Sequence, residues 1–172
     1  TRLNARGKDR HTYIAAVLGR RAETRTLYVT RNPACSSLFR PNQPLLAPFG
    51  EMRDFFDVER QVTVTTAMLD SALDAHGIDY ADFLELDVQG AELDVLAGAE
   101  RLLRDSVLGL QVEVEFAEMY EQQPLFGDVD RFLRERGFQL FDLARYHVRR
   151  GPLASTLTTR GQLLWGQALY LR

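Results

Sequence analysis

Cysteine is nearly absent from this chain: Cys35 is the only one in 172 residues. That excludes an intrachain disulfide and a cysteine-based zinc site, and it suits a reducing compartment such as the cytoplasm. Lysine is as scarce, with Lys8 alone, so arginine carries almost all the positive charge. The net charge of −3 leaves no basic field to gather nucleic acid or an acidic membrane surface. No apolar run approaches the ~18 residues of a membrane helix, and no stretch reads as a secretory signal. The HExxH, CxxC, GxSxG and Walker patterns are all missing, so zinc proteolysis, thiol redox, α/β-hydrolase and P-loop chemistry have no support. No metal is assigned, although Asp87, Glu113 and Glu115 offer the hard oxygen donors a divalent cation takes.

What is present is an ordinary globular composition, 45% hydrophobic and 26% charged, in a length that suits one domain with a sizeable core. Residues 1–12 are polar and read as a disordered segment or linker, and the domain is expected over 13–172. The chain opens on Thr1 rather than methionine, which suits a start inside a longer gene product. Tyr13 to Leu18 is a short apolar run ended by Gly19, as in a buried parallel strand. Thr26–Thr30 and Val62–Thr66 are β-branched and read as strands that pair antiparallel. Between them, residues 31–60 contain four prolines and form an ordered loop or flap, a length that is uncommon without a function.

A helix follows from Leu69 to His76, stopped by Gly77. Then come a strand over 82–87, a helix over 91–103 with Gly98 inside it, and a strand from Val107 to Phe116. Asp128–Arg136 reads as a helix, Phe138–Leu143 as a strand, 145–162 as a polar excursion and Gln162–Leu171 as a closing strand. The fold class is therefore α/β, with a mainly parallel sheet covered by helices on both faces and an antiparallel pair at its end.

The chemistry concentrates at residues 82–92. A strand that delivers an acid at its carboxyl end and turns sharply into a helix is where open α/β sheets place ligands. By alternation, Phe83, Glu85 and Asp87 share one face of their strand, and Gln111, Glu113 and Glu115 share one face of the next. Carboxylates in a sheet interior are costly, and those at the carboxyl ends, Asp87 and Glu115, are the functional candidates. Glu85 and Glu113 are expected to be structural. Glu92 either supports the helix start or contacts a ligand. His147 is a candidate general base. Tyr120 and Trp165 are large aromatics that either fill the core or line a pocket.

The run Phe83-Leu84-Glu85-Leu86-Asp87-Val88-Gln89-Gly90-Ala91-Glu92-Leu93-Asp94-Val95-Leu96 resembles the signature of FkbM-family S-adenosylmethionine-dependent methyltransferases. Thr66-Ala67-Met68-Leu69-Asp70, Gln111–Phe116, Arg136–Leu143 and Gly161–Gly166 extend the resemblance. It implies a class I, Rossmann-like sheet with an antiparallel last strand. The implied activity is methyl transfer to an oxygen, sometimes a nitrogen, of a sugar, polyketide or other secondary metabolite. By position, the resemblance assigns Asp87, Gln89 and Gly90 to the methyl-donor end of the cofactor and Ala16 and Val17 to its adenine. In the mechanism expected from this, Glu115 or His147 aids acceptor deprotonation, and Glu92, Tyr120 and Trp165 are the candidate acceptor contacts. The family's glycine-rich first loop has no counterpart here, since no GxG occurs. The expected fold thus lacks its N-terminal strands in this chain. A homo-oligomer, or a non-catalytic interaction module needing a partner chain, is the alternative expectation.

Overall fold

The computed structural model describes residues 11–151 and 160–172. The expected disordered segment 1–12 falls almost wholly outside these residues. The strands are β1 (Val17–Leu18), β2 (Thr24–Thr30), β3 (Val58–Ala67), β4 (Phe83–Leu86), β5 (Gly109–Glu115), β6 (Gln139–Val148) and β7 (Gln162–Leu171). The helices are α1 (Gln43–Leu46), α2 (Glu51–Phe55), α3 (Leu69–Asp74), α4 (Glu92–Ala97), α5 (Glu100–Asp105) and α6 (Phe126–Arg134).

The described strands form two sheets, in the orders β1-β3-β2 and β4-β5-β7-β6, rather than one. In the second sheet β4 and β5 pair in parallel and β7 pairs antiparallel with both β5 and β6. Three of its strands therefore run one way and the last opposes them, as expected. Hydrogen-bonded parallel neighbours occur only at β1–β3 and β4–β5, because β7 inserts between β5 and β6. The expected antiparallel partnership of the two early strands is present, with Thr26 opposite Thr63. The run from Tyr13 yields a strand of two residues only, since β3 offers partners to Val17 and Leu18 alone.

The expected helix over 91–103 is two helices broken at Gly98. The carbonyl of Gly98 accepts a hydrogen bond from the backbone N–H of Asp70 at 3.0 Å. The Asp70 carboxylate then caps α5 from outside, accepting from the N–H groups of Arg101 at 2.8 Å and Leu102 at 3.2 Å. This satisfies donors that a helix start leaves unpaired.

One face of the second sheet presents Leu86, Val112, Val114, Ala168 and Tyr170 to Val95, Leu96, Leu102 and Leu103 of the helices, and all are buried. Burying each such side chain contributes roughly 1.5–3 kcal/mol. Among the described residues β4 is the edge of its sheet, and on its other face Phe83 is 50% exposed and Glu85 is exposed rather than in a sheet interior.

Residues 31–60 are not a bare loop. They include α1, α2 and the start of β3. Leu46, Phe49 and Phe56 from this flap bury a second apolar cluster against Met119, Tyr120 and Leu164. The excursion expected over 145–162 begins later, since β6 continues to Val148, and residues 152–159 lie outside the described residues. Among the described residues no helix is long and apolar enough to cross a membrane.

Candidate active site

Asp87 follows β4 at its carboxyl end and is exposed. The chain then turns through two residues in the left-handed region, Gln89 at φ +56° and Gly90 at φ +91°. Glycine suits that geometry; a Cβ on Gly90 would meet Tyr120 and Gln123 at 3.4 Å, an ordinary contact, so it is the backbone angle that asks for glycine. A glutamine there costs of order 1–3 kcal/mol. It is held by its neighbours. Its Nε2 donates to Asp87 Oδ1 at 2.5 Å and to Glu113 Oε2 at 2.8 Å. Its Oε1 accepts from Tyr120 Oη at 3.1 Å, and its carbonyl accepts from Ser37 Oγ at 2.6 Å.

The turn therefore joins four parts of the molecule: β4, β5, the flap, and the segment after β5. Tyr120 Oη also lies 2.9 Å from the Cys35 carbonyl, which ties the flap to that segment. Tyr120 is fully buried and acts as this clamp rather than as an open pocket wall. Gln123 accepts from the Tyr120 N–H at 2.5 Å. Its own Nε2 is buried without a sound hydrogen-bond partner, beside Glu115.

Glu92, Glu113 and Glu115 are all buried, and one oxygen of each lies within 4.8 Å of the others. Glu92 Oε1 accepts from the Val88 N–H at 2.8 Å, which closes the turn into α4. Burial pushes Glu92 up to about 7 against the pull of the backbone N–H groups of Glu92, Val88 and Gly90. Burial, then hydrogen-bond contact with Asp87, pushes Glu113 up to about 9. Glu115 is raised as well, by burial first and then by Glu92 and Glu113. The Cys35 thiol is pushed up to about 11 by burial and by the nearby Glu113 and Asp87. Burial thus favours the neutral form in all three glutamates, opposed most at Glu92 by its backbone donors.

Beside this turn lies a cleft of about 270 Å³. Ala16 and Val17 line it together with Leu38, Val88 and Ala91, while Ser36 and Ser37 supply polar edges. It is mainly apolar with a few polar groups, the usual make-up of a small-molecule site. Of the expected cofactor residues Ala16 and Val17 line this cleft, whereas Asp87, Gln89 and Gly90 belong to the adjoining turn and not to its lining. Glu115 lies a few residues away, opposite Trp165 in the sheet register. Trp165 is half-buried and stacks on Tyr146 at 5.4 Å with the rings 12° apart. His147 lies outside this group. It sits on β6 opposite Leu163, two strands from β5, rather than in a loop over the site.

A family model for the methyltransferase FkbM domain matches residues 4–140. The chain belongs to the FkbM methyltransferase family. Neither a curated protein nor a solved structure matches it significantly. In this FkbM domain the matched span includes the cleft, the turn and the buried acids. Membership makes methyl transfer the general activity.

Several site residues escaped the sequence reading. Ser37 and Leu38 come from a flap whose partners are more than 50 residues away, so no local pattern marks them. Glu113, expected to be structural, accepts a hydrogen bond from Gln89 beside Asp87. Its placement two residues before Glu115 on one strand face was the available signal.

Proposed function

We propose that the protein transfers a methyl group from S-adenosylmethionine to an oxygen of a small-molecule acceptor, a sugar, polyketide or other secondary metabolite, in the cytoplasm. The observation that carries this reading is the apolar cleft of Ala16, Val17, Leu38, Val88 and Ala91 set directly against the Asp87 turn. The apolar lining of the cleft suits a flat aromatic base, while the Ser37 hydroxyl at its edge is committed to the Gln89 carbonyl. When bound, S-adenosylmethionine supplies a methyl group on a positively charged sulfur. Asp87, the exposed carboxylate beside the cleft, favours positive charge at that end and receives a hydrogen bond from the acceptor hydroxyl. Methyl transfer depends mainly on alignment, so a carboxylate that orients the acceptor and accepts its proton is sufficient. Glu115 holds its proton by burial and supports the site as a neutral acid. Trp165, stacked with Tyr146, forms a flat wall for the acceptor.

Calorimetric titration with S-adenosylmethionine tests the reading. Saturable heat is expected from the wild-type protein. A loss of affinity of about ten-fold is expected in Asp87→Asn, the scale of a charge-assisted contact. No heat from the wild type would overturn it.

A second reading is favoured by β4, whose outer edge carries the half-exposed Phe83. Open strand edges invite pairing with another chain. In that reading the domain serves as an interaction module completed by a partner or a second copy. Sedimentation distinguishes the two, because this reading requires self-association or complex formation.

A further inference from the structure

The Gln89 side chain hydrogen-bonds Asp87, Glu113 and Tyr120, and it does so from an unfavourable backbone conformation. Its amide nitrogen has two hydrogens and gives one to Asp87 and one to Glu113. Both carboxyl oxygens lie within 2.8 Å of that one nitrogen, which sets the two carboxyls side by side. Two ionised carboxylates that close repel, and the contact is stable when one of them carries a proton. Burial penalises charge, and Glu113, which is 8% exposed, is the member of the pair that burial holds in its neutral form.

The groups facing the pair agree with this. Glu92 comes from α4, Glu115 from β5, Cys35 from the flap, and Tyr120 from the segment after β5. None of these is a cation that would stabilise two negative charges. An ionised glutamate in place of Gln89 would add a further negative charge and remove both donors. A leucine would remove both donors.

We propose that Gln89 is a positioning residue: its side-chain amide holds Asp87 and Glu113 as one carboxyl pair that shares a single proton, with Asp87 presented to the cleft. The role given to the pair rests on the methyltransferase reading. It offers a single negative charge to the donor end of the cofactor and keeps Asp87 pointed at the acceptor. The flap enters this arrangement through Ser37 and Tyr120, which hold the carbonyl and side-chain oxygen of Gln89.

Carbon-13 NMR of glutamate carboxyls in the full chain tests the pair without any cofactor, with Glu113 assigned by Glu113→Gln. In the wild type the Glu113 carboxyl stays protonated through neutrality. Asp87→Asn lowers its midpoint by at least about one pH unit, a ten-fold change in proton affinity. In a Gln89→Leu background the same Asp87→Asn change has less than half that effect, because the pair is no longer clamped. A residue that only supported the fold would lower the melting temperature and leave this coupling intact. The proposal is overturned if Glu113 is indifferent to Asp87→Asn, or if the coupling is the same with and without Gln89. Should Gln89→Leu fail to fold, Gln89→Met repeats the test. If the wild type does not bind S-adenosylmethionine, the methyltransferase reading falls, and the coupling measurement still decides whether the pair exists.

Discussion

The carbonyl oxygen of Gly19 occupies the space where a side chain on Gly98 would begin. This contact sets the end of β1 against the break between α4 and α5. It fixes the side of the cleft that carries Ala16 and Val17 relative to the helix that follows the Asp87 turn. The Cα of Met68 lies 3.2 Å from the same point, so the backbone crowds it from two sides. Gly98→Ala is therefore expected to destabilise the fold by about 1–3 kcal/mol, the range for overpacking a tight site. Chemical denaturation measures it. A variant as stable as the wild type would contradict the packing described.

Tyr120→Phe removes the hydroxyl that reaches both the Cys35 carbonyl and Gln89 Oε1. The ring stays and keeps its contact with Phe56, whose centroid is 5.6 Å away. The expected cost is about 1–2 kcal/mol, because buried acceptors are left unpaired. Hydrogen exchange is expected to quicken over residues 33–49, where the flap loses its tether, with little change in α6. Uniform exchange across the chain would contradict the clamp.

Stability is expected to fall as pH rises. Glu92 and Glu113 have folded-state values of about 7 and about 9, both above the ordinary 4.5. The unfolded chain binds fewer protons than the folded chain between these limits, so ΔG of unfolding decreases with pH there. The stability tied to their neutral forms is fully present below about 4.5. It is lost progressively and is gone once the pH passes about 7 for Glu92 and about 9 for Glu113. Thermal unfolding across this range measures the slope. Glu113→Gln is expected to flatten its upper part. A melting temperature that climbs with pH would contradict the assignment.

The stretch from Phe83 to Leu96 was legible because its signals are local. Alternation placed Asp87 and Glu85 on one face, and Gly90 marked the turn. The antiparallel end of the sheet was legible for the same reason, since Phe138–Leu143 and Gln162–Leu171 have no helical period between them. Less legible were features made by contacts between distant residues. The tie of Ser37 to Gln89 spans 52 positions and that of Tyr120 to Cys35 spans 85. His147 was read as a loop residue because its surroundings are polar. Its strand membership depends on pairing with β7 across a register shift beside Tyr146. Glu85 was placed in a sheet interior on alternation alone. The open edge of β4 is a property of sheet order, which alternation does not encode.

The most direct measurement of the central claim is chemical-shift mapping of the backbone amides during titration with S-adenosylmethionine. The expected result is saturable shifts at Ala16, Val17, Leu38, Val88, Gln89 and Ala91, with none at Arg104, Gly137 or Arg172 at the opposite end of the second sheet. Absence of shifts at saturating concentration, or shifts confined to that opposite end, would contradict the placement of the cofactor in this cleft.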